Sequence, residues 1–135
     1  MKQFITGLLL CGALAGGACH TLTPQPPAGT YSPVGTKAFQ ADAAITDLSA
    51  VSQTAINLNA QTGPLHLSDA NTRIVRDLIL TTAAALSSYG QGATTAGTVQ
   101  AAWSTGLKSL GAEVTANPTL QTALAVVSAA IAALQ

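Results

Sequence analysis

Histidine and carboxylate side chains are the first candidates for chemistry in this 135-residue sequence. His66 and Asp69 stand three residues apart, and an imidazole beside a carboxylate can act as a general base with its orienting partner. The only other histidine is His20, and the sequence contains no H-E-x-x-H, C-x-x-C, G-x-S-x-G or phosphate-binding glycine loop. We therefore predict a solvated turn histidine at position 66, no metal site and no enzymatic activity.

Four charged side chains form a second candidate near the start of a predicted helix. Two pairs are spaced four residues apart, and such pairs are typical of a solvated helix face. The alternative is that this cluster is a docking patch for a protein partner or for an anionic headgroup. The members of the cluster are Asp69, Arg73, Arg76 and Asp77.

The scarcity of charge excludes one class of partner. Charged residues make up 7% of the sequence and the formal net charge is zero, so there is no basic stripe to neutralise a phosphate backbone. Aromatic residues make up 4%, which leaves no platform on which bases could stack. We therefore predict no nucleic-acid partner, no cofactor and no small-molecule substrate.

Residues 1–18 have the features of an export signal. Lys2 provides a positive charge, residues 4–14 are apolar, and small residues follow them up to Cys19. The apolar run is shorter than the ~20 residues that a membrane-spanning helix needs. Ordinary cleavage after Ala15 is one processing route, and processing at Cys19 is the other.

Gly16-Gly17-Ala18-Cys19 resembles the bacterial lipobox, although Gly16 occupies a position where a larger aliphatic residue is usual. The resemblance implies that Cys19 becomes the lipid-modified first residue of the mature protein. Lipidation also accounts for a single cysteine in the mature chain, because the only other one, Cys11, lies within the signal. His20, rather than an aspartate, follows Cys19, and by the same resemblance this implies an outer-membrane protein that faces the periplasm.

Residues 19–36 predict an extended tether, because four prolines and two glycines between His20 and Gly35 disfavour a helix. From residue 37 onward, apolar residues recur at spacings of three and four, which predicts helices. The first helix is predicted over residues 37–60. Its seam consists of Ala41, Ala44, Leu48, Val51, Ala55 and Leu58.

Three further helices are predicted downstream. The second starts at the N-cap Ser68 and ends at Gly90, and the fourth starts at Asn117 and continues to residue 134. The third is predicted over residues 95–116, where three glycines either weaken the helix or let a neighbouring helix approach closely. Trp103 is predicted to lie in the core with its N–H bonded to a partner, with an exposed interface position as the alternative. The predicted fold is all-α, with a small up-and-down bundle of three to four helices in residues 37–135.

These features predict a non-catalytic, exported protein that is lipid-tethered in the cell envelope and has a structural or interaction role. In layout and composition the chain is similar to the small alanine-rich lipoproteins that bacteria and prophages encode. The expected partners are the membrane, through the N-terminal lipid, and either an envelope protein or further copies of the chain. The alternative is a soluble secreted, periplasmic or virion-associated protein whose charge-poor helices assemble into an oligomer.

Overall fold

A computed structural model describes residues 33–135 of the chain, and all regular structure in that range is helical. The prediction of a small all-α bundle is confirmed. The predicted signal, the lipidation site Cys19 and residues 19–32 of the predicted tether lie outside the described residues. The helices are α1 (Pro33–Asn59), α2 (Asp69–Gly90), α3 (Ala96–Lys108), α4 (Ala112–Ala116) and α5 (Pro118–Ala132).

Helix α1 begins at Pro33 rather than at Lys37, so the prediction of extended backbone is wrong for residues 33–36. A proline suits the first position of a helix, because its missing N–H would have no intrahelical partner and its φ is already helical. The predicted seam is confirmed, since all six of its residues are buried, none with more than 3% of its surface exposed. After the helix, Gly63 takes a φ of +107° in the loop that leads to α2, a value that favours glycine.

Helix α2 runs antiparallel to α1, and the two helices pack closely near the C-terminal end of α2. Its predicted N-cap is confirmed, because Ser68 has an extended backbone and its side chain accepts a hydrogen bond from the Asn71 backbone N–H. At the other end, a Cβ on Gly90 would lie 3.0 Å from the Ala41 Cβ, so the missing side chain allows the close approach. The face of α2 that is buried in the bundle consists of Val75, Leu78, Thr82, Leu86 and Tyr89.

The prediction of one helix over residues 95–116 is wrong, because the chain turns between α3 and α4. Ser109 caps the end of α3, and Gly111 is the N-cap residue of α4. Glycine is a weak helix former, so a break at residue 111 costs little helical stability. In the broken arrangement Val114 is fully buried, and Glu113 reaches the start of α2.

Glycine in α3 permits close packing against α2 at one position. A Cβ on Gly106 would overlap the Leu78 Cδ1 and lie 3.4 Å from its Cγ, so α2 can approach the α3 backbone only because residue 106 has no side chain. Gly111 is also tight, with its Cβ position 3.1 Å from the Asn71 Oδ1. A Cβ on Gly97 would lie 3.8 Å from the Oγ1 of Thr95, the N-cap residue of α3, and near nothing else. The predicted close approach is therefore found at the last two glycines and not at the first.

Helix α5 completes a ring in which α1 contacts α2, α2 contacts α3, α3 contacts α5, and α5 returns to α1. Its predicted start is confirmed, because the Asn117 Oδ1 accepts a hydrogen bond from the Leu120 N–H at 3.1 Å. The prediction for Trp103 is confirmed as well, since it is 4% exposed and its Nε1 donates to the Ser128 Oγ at 2.9 Å. Within residues 33–135, no helix has both the length and the apolar character needed to cross a bilayer.

The end of the bundle where α1 begins is held by a buried tyrosine. Tyr89 is fully buried, and its hydroxyl donates to the Gln40 Oε1 at 2.9 Å and accepts from the Gln135 backbone N–H at 3.1 Å. The Lys37 Nζ lies over the ring, 5.5 Å from its centroid, in position for a cation–π contact. These contacts join the first turns of α1, the end of α2 and the residues that follow α5.

Candidate functional site

The densest group of polar and ionisable side chains in the described residues lies at the other end of the bundle, where the α1–α2 loop meets the connection between α3 and α5. We call this group the polar end. It includes His66 and Asp69, which the sequence singles out, and Glu113, which it does not. Its members are Asn59, His66, Ser68, Asp69, Asn71, Glu113 and Asn117.

The Glu113 carboxylate is the centre of the polar end. Its Oε1 accepts a hydrogen bond from the Ser68 backbone N–H at 2.6 Å. Its Oε2 accepts from the Ser68 Oγ at 3.1 Å and also from the Asn71 Nδ2. The bond from the Ser68 N–H lowers the pKa of Glu113 most, and the Ser68 hydroxyl, the Asn71 amide and the nearby His66 lower it further, against a smaller opposing effect of burial. Glu113 thereby joins the short helix α4 to the first turn of α2.

Two asparagines hold the α1–α2 loop in place beside this carboxylate. The Asn59 Nδ2 donates to the Leu67 carbonyl at 2.8 Å and to the Asp69 Oδ1 at 2.9 Å. From the opposite side, the buried Asn117 donates to the Leu65 carbonyl at 3.2 Å. The hydrogen bonds at the polar end thus tie three separate parts of the chain together, which is a structural use of polar side chains.

The structure gives His66 and Asp69 different partners. The His66 Nδ1 lies 2.9 Å from the Gln61 carbonyl oxygen, whereas the Asp69 carboxylate accepts from Asn59. His66 is exposed in a turn, as predicted. A base and an orienting carboxylate are therefore not assembled at this position.

The four residues of the charged cluster are all exposed on the side of α2 opposite its buried face. Two of them border different grooves. Arg76 lines a groove between α1 and α2, whereas Asp77 lines a groove between α2 and α3. Asp69 belongs to the polar end through its bond with Asn59, and Arg73 lies between these positions on an exposed part of the helix.

Three open grooves lie between helices on the described surface. The α2–α3 groove has a volume of about 790 Å³, the α3–α5 groove about 400 Å³ and the α1–α2 groove about 340 Å³. The α1–α2 groove includes Ile56 and Leu80, whose side chains are 53% and 56% exposed. Within residues 33–135 there is no group of three or more histidine, cysteine or acidic side chains that could hold a metal ion.

Comparison with known proteins found no family model, no curated protein and no solved structure that matches the chain. Function is therefore inferred from the residues and their geometry. Sequence reasoning missed the role of Glu113, because its partners Ser68 and Asn71 precede it by 45 and 42 residues. The only local signal is an acidic residue near a glycine at a helix start, and this pattern is common in sequences.

Proposed function

We propose that the chain is an exported protein that a lipid on Cys19 attaches to the cell envelope, where its helical bundle has a structural or interaction role. The observation that carries the proposal is the position of Cys19. It directly follows three small residues at the end of a signal-like segment, and it stands fourteen residues before the first described helix. The described bundle contains no cysteine, so the thiol chemistry of the chain is confined to its N-terminal part.

The bundle supports an interaction role more directly than a catalytic one. The only histidine in the described part bonds a backbone carbonyl, and the Glu113 carboxylate is occupied by hydrogen bonds that hold α4 against α2. The grooves between helices, by contrast, are open and partly apolar, and Ile56 and Leu80 are exposed beside Arg76. An open groove with apolar side chains at its surface leaves room for a partner to bind.

The lipid attachment can be tested with the two cysteines of the chain. Wild type, Cys19→Ala and Cys11→Ala are expressed in a Gram-negative host that is fed an alkyne fatty acid, and each protein is then isolated from the membrane and soluble fractions. We expect the wild type and Cys11→Ala to carry the label and to sediment with membranes, and Cys19→Ala to lose both properties. Cys11→Ala is the matched control, because it removes a thiol from the same N-terminal region.

The intact mass of the mature wild-type protein completes this test. A mass that begins at Cys19 and includes acyl chains is the expected result. A mature chain that begins after Cys19, or a Cys19→Ala variant that stays in the membrane fraction with its label, would remove the proposal. Separation of inner and outer membranes on a density gradient then tests the proposed outer-membrane location.

A secreted, periplasmic or virion-associated assembly protein is the second candidate, and the surface of α5 favours it. Helix α5 contains no charged residue, and Gln121, Ala125 and Ala129 are among its exposed side chains. An uncharged face built from small residues allows another helix to approach closely, as in an oligomer of identical chains. Light scattering on the Cys19→Ala protein tests this candidate, because an obligate assembly gives an oligomer without any lipid, and a monodisperse monomer would count against it.

A further inference from the structure

Helix α4 is the described helix that is least integrated into the bundle. Val114 is its one buried residue. The helix packs mainly against α5, whereas α1, α2, α3 and α5 form a closed ring of contacts in which α4 takes no part. Movement of α4 away from its position therefore leaves the ring complete. The exposed residues of α4 are Ala112, Glu113, Thr115 and Ala116.

The backbone on both sides of α4 is suited to a change in direction. Ser109 ends α3, and Gly111 is the N-cap residue of α4 but makes no side-chain bond to it. A glycine has access to more backbone conformations than any other residue, so the chain can bend there at little cost. On the other side, Asn117 has an extended backbone, and its side chain caps α5. Helix α5 thus keeps its cap when α4 moves.

The Glu113 carboxylate holds α4 against the start of α2. It accepts hydrogen bonds from the Ser68 backbone N–H at 2.6 Å, from the Ser68 Oγ at 3.1 Å and from the Asn71 Nδ2. Hydrogen bonds to an ionised acceptor are roughly twice as strong as those between neutral groups. Apart from the burial of Val114 against the bundle, these bonds are what connects the exposed helix to the rest of the fold.

We propose that α4 is a hinged flap that opens while the ring of the four longer helices stays folded, and that the bonds from Glu113 to Ser68 and Asn71 hold it closed. The flap consists of residues 111–116. Proteins open locally where few apolar contacts are buried and where the backbone hydrogen bonds are exposed, and α4 meets both conditions.

Opening of the flap changes the surface between α3 and α5. Thr115 lines the α3–α5 groove together with Leu107 and Leu110, so one wall of the groove moves when the flap does. Val114, which is fully buried when the flap is closed, becomes accessible at the same time. The open state therefore exposes more apolar surface than the closed state, and Glu113 sets how often that surface is accessible.

Labelling of a buried thiol measures the opening. The full chain with Cys11→Ala and Cys19→Ala has no thiol of its own, and Val114→Cys introduces one at a position that is fully buried in the closed flap. Val127→Cys is the matched control, because it makes the same change at a fully buried position of α5, within the ring. Each protein is made by cell-free translation without membranes, and its reaction with a thiol reagent is followed at increasing urea concentrations below the unfolding transition.

We expect the thiol at position 114 to react at least about tenfold faster than the thiol at position 127, at a rate that is nearly independent of urea, because a local opening exposes little surface. The thiol at position 127 should react only through global unfolding, so its rate should rise with urea as steeply as equilibrium unfolding does. Equal rates with the same urea dependence would show that α4 opens only with the whole bundle, and would overturn the proposal.

Two substitutions then separate the flap from the ring. Glu113→Gln keeps the shape of the side chain but replaces one acceptor oxygen with an NH₂ group, so it should raise the rate at position 114 without urea about tenfold. Tyr89→Phe removes the hydroxyl that bonds Gln40 and Gln135 at the other end of the bundle. It should raise the rate at position 127 and leave the rate at position 114 unchanged, because the open and closed flap share those bonds.

An unchanged rate at position 114 in Glu113→Gln would overturn the role of this carboxylate. A rise at position 114 in Tyr89→Phe as large as the rise at position 127 would overturn the independence of the flap. Circular dichroism verifies that each variant is folded before the rates are compared. Because both native cysteines are replaced, the result does not depend on lipid attachment.

Hydrogen exchange provides the same test without a substitution at position 114. The backbone N–H groups of Val114 and Thr115 bond the Gly111 carbonyl within the flap, and their exchange should be fast and nearly independent of urea. The N–H of Val127, in the middle of α5, should exchange only through global unfolding. Exchange of all three groups with the same steep urea dependence would contradict a separate opening of α4.

Discussion

Helix propensity predicts that Gly106→Ala stabilises the protein, whereas the structure predicts that this substitution destabilises it. In the middle of a helix, alanine is more stable than glycine by roughly 1 kcal/mol. At position 106, however, the new Cβ would overlap the Leu78 Cδ1, and Leu78 is 4% exposed. To relieve the overlap, the buried Leu78 must change rotamer in a packed position. Overpacking of this kind costs about 1–3 kcal/mol, and a cost of about 2 kcal/mol outweighs the gain in propensity. We expect Gly106→Ala to lower the free energy of unfolding by about 1 kcal/mol.

Gly97→Ala is the matched control, because it makes the same change in the same helix. A Cβ on Gly97 meets only the Thr95 Oγ1, at 3.8 Å, which is an ordinary contact. The position is in the first turn of α3, so we expect a gain of about 0.5 kcal/mol rather than the full propensity difference. The two variants should therefore differ by about 1.5 kcal/mol, in favour of Gly97→Ala.

Urea unfolding followed by circular dichroism measures both changes on the Cys19→Ala protein. A shift of the midpoint at constant slope identifies a change in stability, whereas a change in slope indicates a different denatured or native state. Equal stabilisation by Gly106→Ala and Gly97→Ala would show that α2 and α3 do not pack closely at Leu78. The double variant Gly106→Ala, Leu78→Ala should recover part of the loss, because the smaller side chain removes the overlap.

Three further outcomes follow from individual side chains. Thr82→Val should raise the free energy of unfolding by about 1 kcal/mol in urea unfolding, because the Thr82 Oγ1 is buried without a hydrogen-bond partner; a loss of stability would show that the hydroxyl has one. Ser128→Ala should lower it by about 1 kcal/mol and change the near-ultraviolet signal of Trp103, whose N–H loses its acceptor; an unchanged signal would contradict this. The folded-state pKa of Glu113 is lowered, so its contribution to stability is present above its ordinary value of 4.5 and is lost as the pH falls through the folded pKa. Thermal unfolding of Glu113→Gln should therefore show a smaller loss of stability below pH 4.5 than the wild type shows. A loss as steep as that of the wild type would refute this role of the Glu113 carboxylate.

The periodicity of apolar residues was sufficient to predict most of the fold. Ala41 and Leu58 are ends of a seam that is buried as predicted, and the N-caps Ser68 and Asn117 stand where their sequence patterns place them. These features depend on residues that are three or four positions apart, so the sequence of one helix is enough to predict them. Trp103 belongs to the same class, because a large aromatic side chain on an apolar face is expected to be buried with its N–H bonded.

The errors occurred where the structure depends on contacts between distant parts of the chain. The break before α4 cannot be inferred from Gly111 alone, because a glycine is tolerated within many helices. What stabilises the break is the burial of Val114 together with the bonds from Glu113 to Ser68, which lies 45 residues earlier. The polar end as a whole could not be predicted for the same reason, since its members come from three separate segments.

The start of α1 at Pro33 also changes what a lipid on Cys19 would allow. The predicted tether contained eighteen residues, whereas only fourteen precede the helix from Cys19 onward. If residues 19–32 were fully extended, at ~3.1 Å per residue, the greatest reach would fall from about 56 to about 43 Å. Because α1 is 27 residues and thus about 40 Å long, the shorter tether is comparable to the length of the bundle. An anchored molecule would then present the polar end only if the bundle stands away from the membrane, whereas a bundle lying flat would offer its grooves to the lipid surface.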